Sequence, residues 1–331
     1  MIIDAHLDLA YNALHGRNVL LPALRQTPDA EGIPVVGLPD LHAGRIGIIC
    51  GTLFEAPAAY EKGGYASASE ANEQASAQLR WYQRQEMAGR MDLVRRAQDL
   101  PTDADPGTTL RCIVLMEGAD PIESPEQVAW WFAQGVRIVG MAWKQTRYAG
   151  GTGAPGGLSG EGVELVRRLD QAGMIHDLSH LAEQAFWQLL ELSAGPVMAS
   201  HSNCRAIVPT DRQLSDDMIG AIARRGGVIG INFYDRFLVR PGTLSKRRAN
   251  LDDVMEHVEH ICQVAGDADH VGIGSDFDGG LGREEIPCEI MTAADLKMVG
   301  AAARRHGFSD ADVTKLMSGN WLRFFRASLP Q

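Results

Sequence analysis

Cysteine, positive charge and long hydrophobic runs are all scarce in this chain, and each shortage argues against a class of protein. The five cysteines, Cys50, Cys112, Cys204, Cys262 and Cys288, are odd in number and form no C-x-x-C pair. That disfavours a disulfide framework and a cysteine-clasped zinc, and predicts buried free thiols in a reducing cytoplasm. No stretch reaches 18 consecutive apolar residues, so no membrane span is expected. The start, MIIDAHLD, has neither a basic n-region nor an apolar h-region; no signal peptide is expected, and the location expected is cytoplasmic. Lys and Arg number 31 against 42 Asp and Glu, a net charge of −11 without long runs of one sign. Nucleic acid and anionic membrane both want a basic face, so neither is an expected partner. Acidic balance serves solubility and does not by itself make the substrate cationic.

Apolar residues, by contrast, are plentiful. Of 331 residues 45% are hydrophobic, enough for one large domain or two small ones. No composition break or fixed-period repeat divides the chain, so residues 1–331 read as a single domain. Eight short runs, most of them rich in Val and Ile, read as strands buried on both faces: 2–6, 46–54, 111–117, 135–142, 173–178, 196–201, 227–232 and 270–276. Amphipathic helical stretches separate most of them, at 67–98, 124–134, 159–172, 181–193, 214–225 and 249–265, and two more, 293–306 and 310–328, close the chain. Alternating strands and helices imply a parallel sheet, and eight strands at this length fit a (β/α)8 TIM-type barrel. A doubly wound open sheet is the alternative, but it would not bring residues ending strands 1, 3, 5, 6 and 8 to one rim. Long loops at 17–45 and 150–160 follow strands 1 and 4, on the catalytic face of such a barrel.

Five metal-type ligands sit at strand ends: His6 and Asp8 in IIDAHLD, Glu117 in IVLMEG, His180 in MIHDLSH and His201 in PVMASH. Side chains alternate along a strand, so His6 and Asp8 share a face and can serve one ion. Glu117 follows four apolar residues and must be paired, hydrogen-bonded or metal-bound; a structural salt bridge is its plain alternative. His180 and His201 lie one βα unit apart, and Asp177 is placed to fix an imidazole tautomer. Together the five can hold two divalent ions and activate a water for hydrolysis. Asp276, ending strand 8 in GIGSDFDGG, is the candidate general acid/base, with Asp278 as its rival. Arg212, in the loop after strand 6, can clamp a carboxylate.

The segments IIDAHLDL, VLMEGAD, GLSGEGVELVRRLDQAGMIHDLSH, MASHSNCRAIVPTDRQL, INFY, GIGSDFDG and SGNWLRFF occur in this order from residue 2 to about 326. They resemble the membrane (renal) dipeptidase family of the amidohydrolase superfamily. The resemblance implies a distorted (β/α)8 barrel carrying two Zn2+, with other divalent metals tolerated. His6 and Asp8 would bind one ion, His180 and His201 the other, and Glu117 would bridge them. A metal-bridging hydroxide would be the nucleophile, Asp276 the general acid/base, and Arg212 the holder of a dipeptide's C-terminal carboxylate. A homodimer would be ordinary for the family. One departure stands out: where family members carry a His after strand 4, near the scissile carbonyl, this chain has Trp143 in MAWKQTRYAGG. An indole donates one hydrogen bond but neither carries charge nor accepts a proton. Lys144 or Arg147 could take over, or the substrate could be an N-acyl amino acid or a lactam. A metal-binding protein without catalysis is the alternative from another class. A carboxylated Lys144 as metal bridge is unnecessary beside Glu117.

Other signals have plainer readings. His257 and His260 in EHVEH lack a third ligand and precede strand 8, away from the rim. His15, His42 and His306 have no ligand company, and His176 reads as packed or hydrogen-bonded near the barrel. The Gly-rich run 150–157 lacks the G-K-[ST] ending of a phosphate loop and reads as a mobile loop over the substrate. Trp130, Trp131 and Phe132 read as helix core or an oligomer contact.

Overall fold

Each of the eight apolar runs forms a parallel strand in the computed structural model, which describes residues 1–61, 63–102 and 109–331. We label them β1 (Ile2–Leu7), β2 (Ile46–Phe54), β3 (Leu110–Glu117), β4 (Val136–Gly140), β5 (Ile175–Asp177), β6 (Val197–Met198), β7 (Ile229–Ile231) and β8 (Val271–Ile273). The sheet runs β7-β8-β1-β2-β3-β4-β5-β6, with Met91–Leu93 paired outside β3. A single parallel bridge, Ala199 to Ile229, carries β6 back to β7 and nearly closes the barrel. Its hydrogen bonds are Ala199 N–H to Val228 O at 3.0 Å and Gly230 N–H to Ala199 O at 2.8 Å. Here the walls come so close that a Cβ on Gly230 or Gly274 would lie 2.0 or 1.7 Å from the Ser200 carbonyl oxygen. Only glycine allows that approach. The open sheet is excluded.

Strands of Val and Ile buried on both faces separate two apolar layers. Ile3, Ala5, Ile48, Ile113, Ile138 and Met198 fill the barrel interior with Trp321 and Phe325. Trp321 comes from the C-terminal helix Asn320–Ser328, donates to Ile273 O at 3.0 Å, and lies against Gly272. It closes the end of the barrel opposite the metal-type ligands. The second layer lies between the strands and the surrounding helices, whose N-termini carry Ser67, Ser159, Ser215 and Asn250, each accepting a backbone N–H.

Four local expectations are corrected. The stretch 67–98 is a helix only over Ala68–Met87, because the chain then turns to place Met91–Leu93 on β3. The stretch 310–328 is two α segments joined by a π-turn at Lys315–Gly319. The Gly-rich run, expected as a long loop, is an antiparallel hairpin, Ala149–Gly151 with Ala154–Leu158; a Cβ on Gly150 would meet Gly156 at 2.6 Å. Among the cysteines, all free, Cys50, Cys112 and Cys204 are buried, but Cys262 is only partly covered and Cys288 is exposed.

Candidate active site

His6 lies inside β1 and Glu117 ends β3, but the other site residues sit just past their strands. His180 and His201 lie three residues beyond β5 and β6, and Asp276 three beyond β8. His180 and Asp276 adopt left-handed backbone, φ +64° and +60°. That conformation costs free energy in a non-glycine residue and is held where surrounding structure over-determines it. It turns both side chains back over the barrel mouth.

The five expected ligands converge there. Glu117 divides its carboxylate: Oε2 is 3.2 Å from His6 Nε2, while Oε1 is 3.2 Å from His180 Nε2 and 3.4 Å from His201 Nε2. Asp8 Oδ1 lies 3.9 Å from His6 Nε2 and accepts the Thr52 hydroxyl. Ligands of one tetrahedral zinc are about 3.3 Å apart, from metal–ligand lengths near 2.0–2.1 Å, so these spacings suit ions held between the side chains. Two further observations favour cations. His6 Nε2 is buried with no hydrogen-bond partner among the described residues. His180 and His201 point their Nε2 atoms at each other at 2.9 Å, while Thr152 Oγ1 and Ser200 Oγ sit on their Nδ1 atoms at 3.0 and 2.7 Å. Nδ1–H donation on both rings would leave two lone pairs face to face, an arrangement that a shared metal ion relieves.

Charge in the site is displaced from ordinary values. Burial opposes a proton on His6, yet Glu117, Asp8 and Asp276 outweigh it and hold the group up at about 10. Burial raises Asp8 to about 8 and Asp276 to about 7, assisted by Glu117 and opposed by His6. Burial, with the positive charges of Arg212 and His6, pushes His180 and His201 well below the usual histidine value. Asp8, Glu117 and Asp276 thus gather three carboxyl groups around His6, a donor set whose charge a divalent cation would balance.

Asp276 faces a 440 Å³ cavity that Asp8, Glu117, His180 and His201 also line. Its Oδ2 accepts Asn232 Nδ2–H at 2.9 Å, and Oδ1 lies 3.9 Å from His6 Nε2. Asp278 is resolved as structural: it pairs with Arg17 at 2.9 Å and accepts the backbone N–H groups of Val35 and Val36, pinning the loop after β1. Trp143 is in the cavity wall, edge-on to Phe54 at 5.3 Å and 6.4 Å from His180 between ring centroids. Neither suggested stand-in is among the lining residues: Lys144 lies over Tyr60, and Arg147 donates to Ile122 O at 2.8 Å. Arg212 is buried behind the wall, its guanidinium 5.3 Å from the Phe237 ring. It donates to Ser202 Oγ at 3.1 Å and His201 O at 2.5 Å, leaving Nε without a partner among the described residues.

Thr52, Thr152 and Asn232 escaped the sequence reading. Asn232 at least lies in the INFY segment, whereas Thr152 reaches His180 only because the hairpin folds. Asp177 meets the imidazoles only through Ser200, not by direct contact with His180. The histidines set aside have other partners where they are described. His257 is buried between Cys204 N–H and Leu238 O, His260 pairs with Asp216, and His176 lies on Asp170 at 2.7 Å. Trp131 is fully buried in the core, and Trp130 is exposed.

A carboxylate set between two groups of imidazole and carboxylate ligands, at the C-terminal rim of a (β/α)8 barrel, defines a metal-dependent hydrolase of the amidohydrolase type. The chain belongs to the membrane dipeptidase family, peptidase family M19, whose model matches residues 1–329, and its class is therefore metallo-dipeptidase. It is 31% identical over 249 residues to an uncharacterised protein of the pqqA 5′ region of Klebsiella pneumoniae, covering 72% of this chain and 89% of that one. It is 32% identical over 250 residues to the dipeptidase tcpJ of Claviceps purpurea, covering 72% of this chain and 55% of that longer protein. A Rhodobacter sphaeroides metallopeptidase, solved with a phosphinate mimic of the dipeptide L-Ala-D-Ala, superposes with a TM-score of 0.85 at 26% identity over 99% of both chains.

Proposed function

We propose that the protein is a binuclear zinc dipeptidase acting on dipeptides with a free C-terminal carboxylate. The observation that carries this reading is the divided Glu117 carboxylate, one oxygen toward His6 and the other toward His180 and His201. His6 and Asp8 would hold one ion and His180 and His201 the other, with Glu117 between. Two zinc ions there would supply an activated water and Lewis-acid polarisation of the scissile carbonyl; manganese, iron or cobalt suit the same donors. Asp276 takes a proton from the attacking water and delivers it to the leaving nitrogen, the two-way task of a general acid/base. Asn232 fixes the Oδ2 edge of that carboxylate and leaves Oδ1 for the transfer. Arg212, which does not line the cavity, would have to turn its buried guanidinium from Ser202 and His201 O to meet the substrate carboxylate. Free thiols throughout fit a cytoplasmic enzyme.

The Rhodobacter sphaeroides ligand supports an L,D-dipeptide as a first substrate to try. Trp143 favours a second reading on the same machinery. An indole in the cavity wall, where family dipeptidases have a His, suits an N-acyl amino acid or a lactam. The test is hydrolysis of a dipeptide library, with L- and D-residues at the C-terminal position, by zinc-loaded protein. Turnover abolished by a chelator and restored by zinc supports the dipeptidase. Turnover of N-acyl compounds alone supports the second reading. Protein that holds two ions and hydrolyses neither set refutes both.

A further inference from the structure

One buried hydroxyl lies between ligands assigned to different metal ions. Ser200 is fully buried, and its Oγ is 3.0 Å from His6 Nδ1, 2.7 Å from His201 Nδ1 and 2.5 Å from Asp177 Oδ2. The other oxygen of Asp177 accepts the backbone N–H groups of Ser179 at 3.0 Å and Ser200 at 2.8 Å. Asp177 is thus an acceptor on both edges. A serine hydroxyl has one hydrogen and two lone pairs. Its hydrogen goes to Asp177, and its lone pairs are left for the two imidazoles, each of which must then carry its proton on Nδ1. In the neutral form of each ring Nε2 is then the bare nitrogen, which is the state a metal ligand requires. His6 and His201 also lie ring against ring, centroids 3.6 Å apart, so neither can turn independently of the other. His180 is outside this network, with Thr152 as its own partner.

We propose that Ser200, anchored by Asp177, is a positioning residue common to both metal subsites: one hydroxyl sets the tautomer of His6 for one ion and of His201 for the other, so losing it weakens both together. The inference rests on the two-ion reading above, and a metal count on the wild-type protein separates the two: a single ion refutes that reading.

The experiment is zinc titration of the apo-protein against a competing chelator, with bound zinc counted by mass spectrometry, for wild type and for Ser200→Ala, Thr152→Val and Asp177→Asn. Circular dichroism of each apo-protein checks the fold. Ser200→Ala should weaken both zinc ions about 10–100-fold, the range for removing an imidazole's supporting partner, with the apo fold unchanged. Thr152→Val should weaken one ion only. Long-range ¹H–¹⁵N spectra of the zinc-loaded wild type should show Nδ1–H on both His6 and His201. Two ions bound by Ser200→Ala at wild-type affinity, or weakening of one ion alone, overturns the proposal while leaving the two-ion reading intact. Should the alanine variant fail to fold, Asp177→Asn decides. Its amide would donate to Ser200 and turn the hydroxyl's hydrogen toward an imidazole, so at least one ion should weaken tenfold or more; unchanged affinity for both overturns the proposal.

Discussion

Replacing Asp276 by asparagine removes a proton carrier and almost nothing else. The amide keeps the carboxylate's shape, its oxygen still accepts from Asn232 Nδ2, and Asn is among the residues best suited to the φ of +60° found there. Fold stability should therefore change by no more than about 1 kcal/mol, the net worth of one hydrogen bond. The chemical step should suffer far more. General acid–base groups contribute about 10²–10⁴-fold, which at 1.36 kcal/mol per decade is roughly 3–5 kcal/mol of barrier. The assay is kcat on the best substrate of the dipeptide library, with bound metal counted on the same sample. The expected outcome is two ions retained and kcat down by two to four decades. Wild-type kcat with both ions bound would refute the role of Asp276. Loss of an ion would move Asp276 into the ligand set, since its carboxylate also clusters with His6 and His201.

Trp143→His restores the residue that the resemblance leads one to expect, and a rise in kcat/KM on ordinary dipeptides with no gain on N-acyl substrates would show that the indole narrows the range; unchanged selectivity would acquit it. Arg212→Ala should raise KM about tenfold or more for substrates bearing a carboxylate, because charged hydrogen bonds contribute roughly 1.5–3 kcal/mol, while an equal loss on carboxylate-free amides would reduce Arg212 to the brace of His201. Zinc must displace the proton that His6 holds up to about 10, so binding near neutral pH should release protons and tighten as pH rises, read by calorimetry in buffers of different ionisation enthalpy; pH-independent affinity would contradict the assigned charges. Arg17→Met leaves Asp278 buried without its cation and should cost about 3–5 kcal/mol in denaturant unfolding. Burial already raises Asp278 to about 6 from an unfolded value near 3.8, so the native state binds the extra proton between them. The variant should accordingly regain stability as pH falls through that window, and loss of stability there would reverse the argument.

The barrel and its ligands were readable because their signals are local. Eight short apolar runs, most of them rich in Val and Ile, mark strands whatever lies elsewhere, and a His or Glu at the end of such a run marks a rim position. Boundaries were less readable. Strands β4 to β8 are shorter than their apolar runs, whose last residues leave the ladder to form the barrel mouth. The Gly-rich segment reads as a loop because a hairpin of glycines has no side-chain pattern; close backbone approach between Gly150 and Gly156 defines it instead.

From its sequence alone this chain is committed to a (β/α)8 barrel with His6, Asp8, Glu117, His180, His201 and Asp276 at one end, since strand pattern and side-chain chemistry belong to the residues themselves. The tertiary structure decided which atoms meet. Only closure of β6 against β7 brings Ser200 between His6 and His201, and only the hairpin sets Thr152 on His180. It also separated Asp276 in the cavity from Asp278 on Arg17, two residues of the same type in the same turn. Hydrogen bonds and metal coordination act over about 2–3 Å, and at that range position depends on how distant segments pack, which no local pattern records.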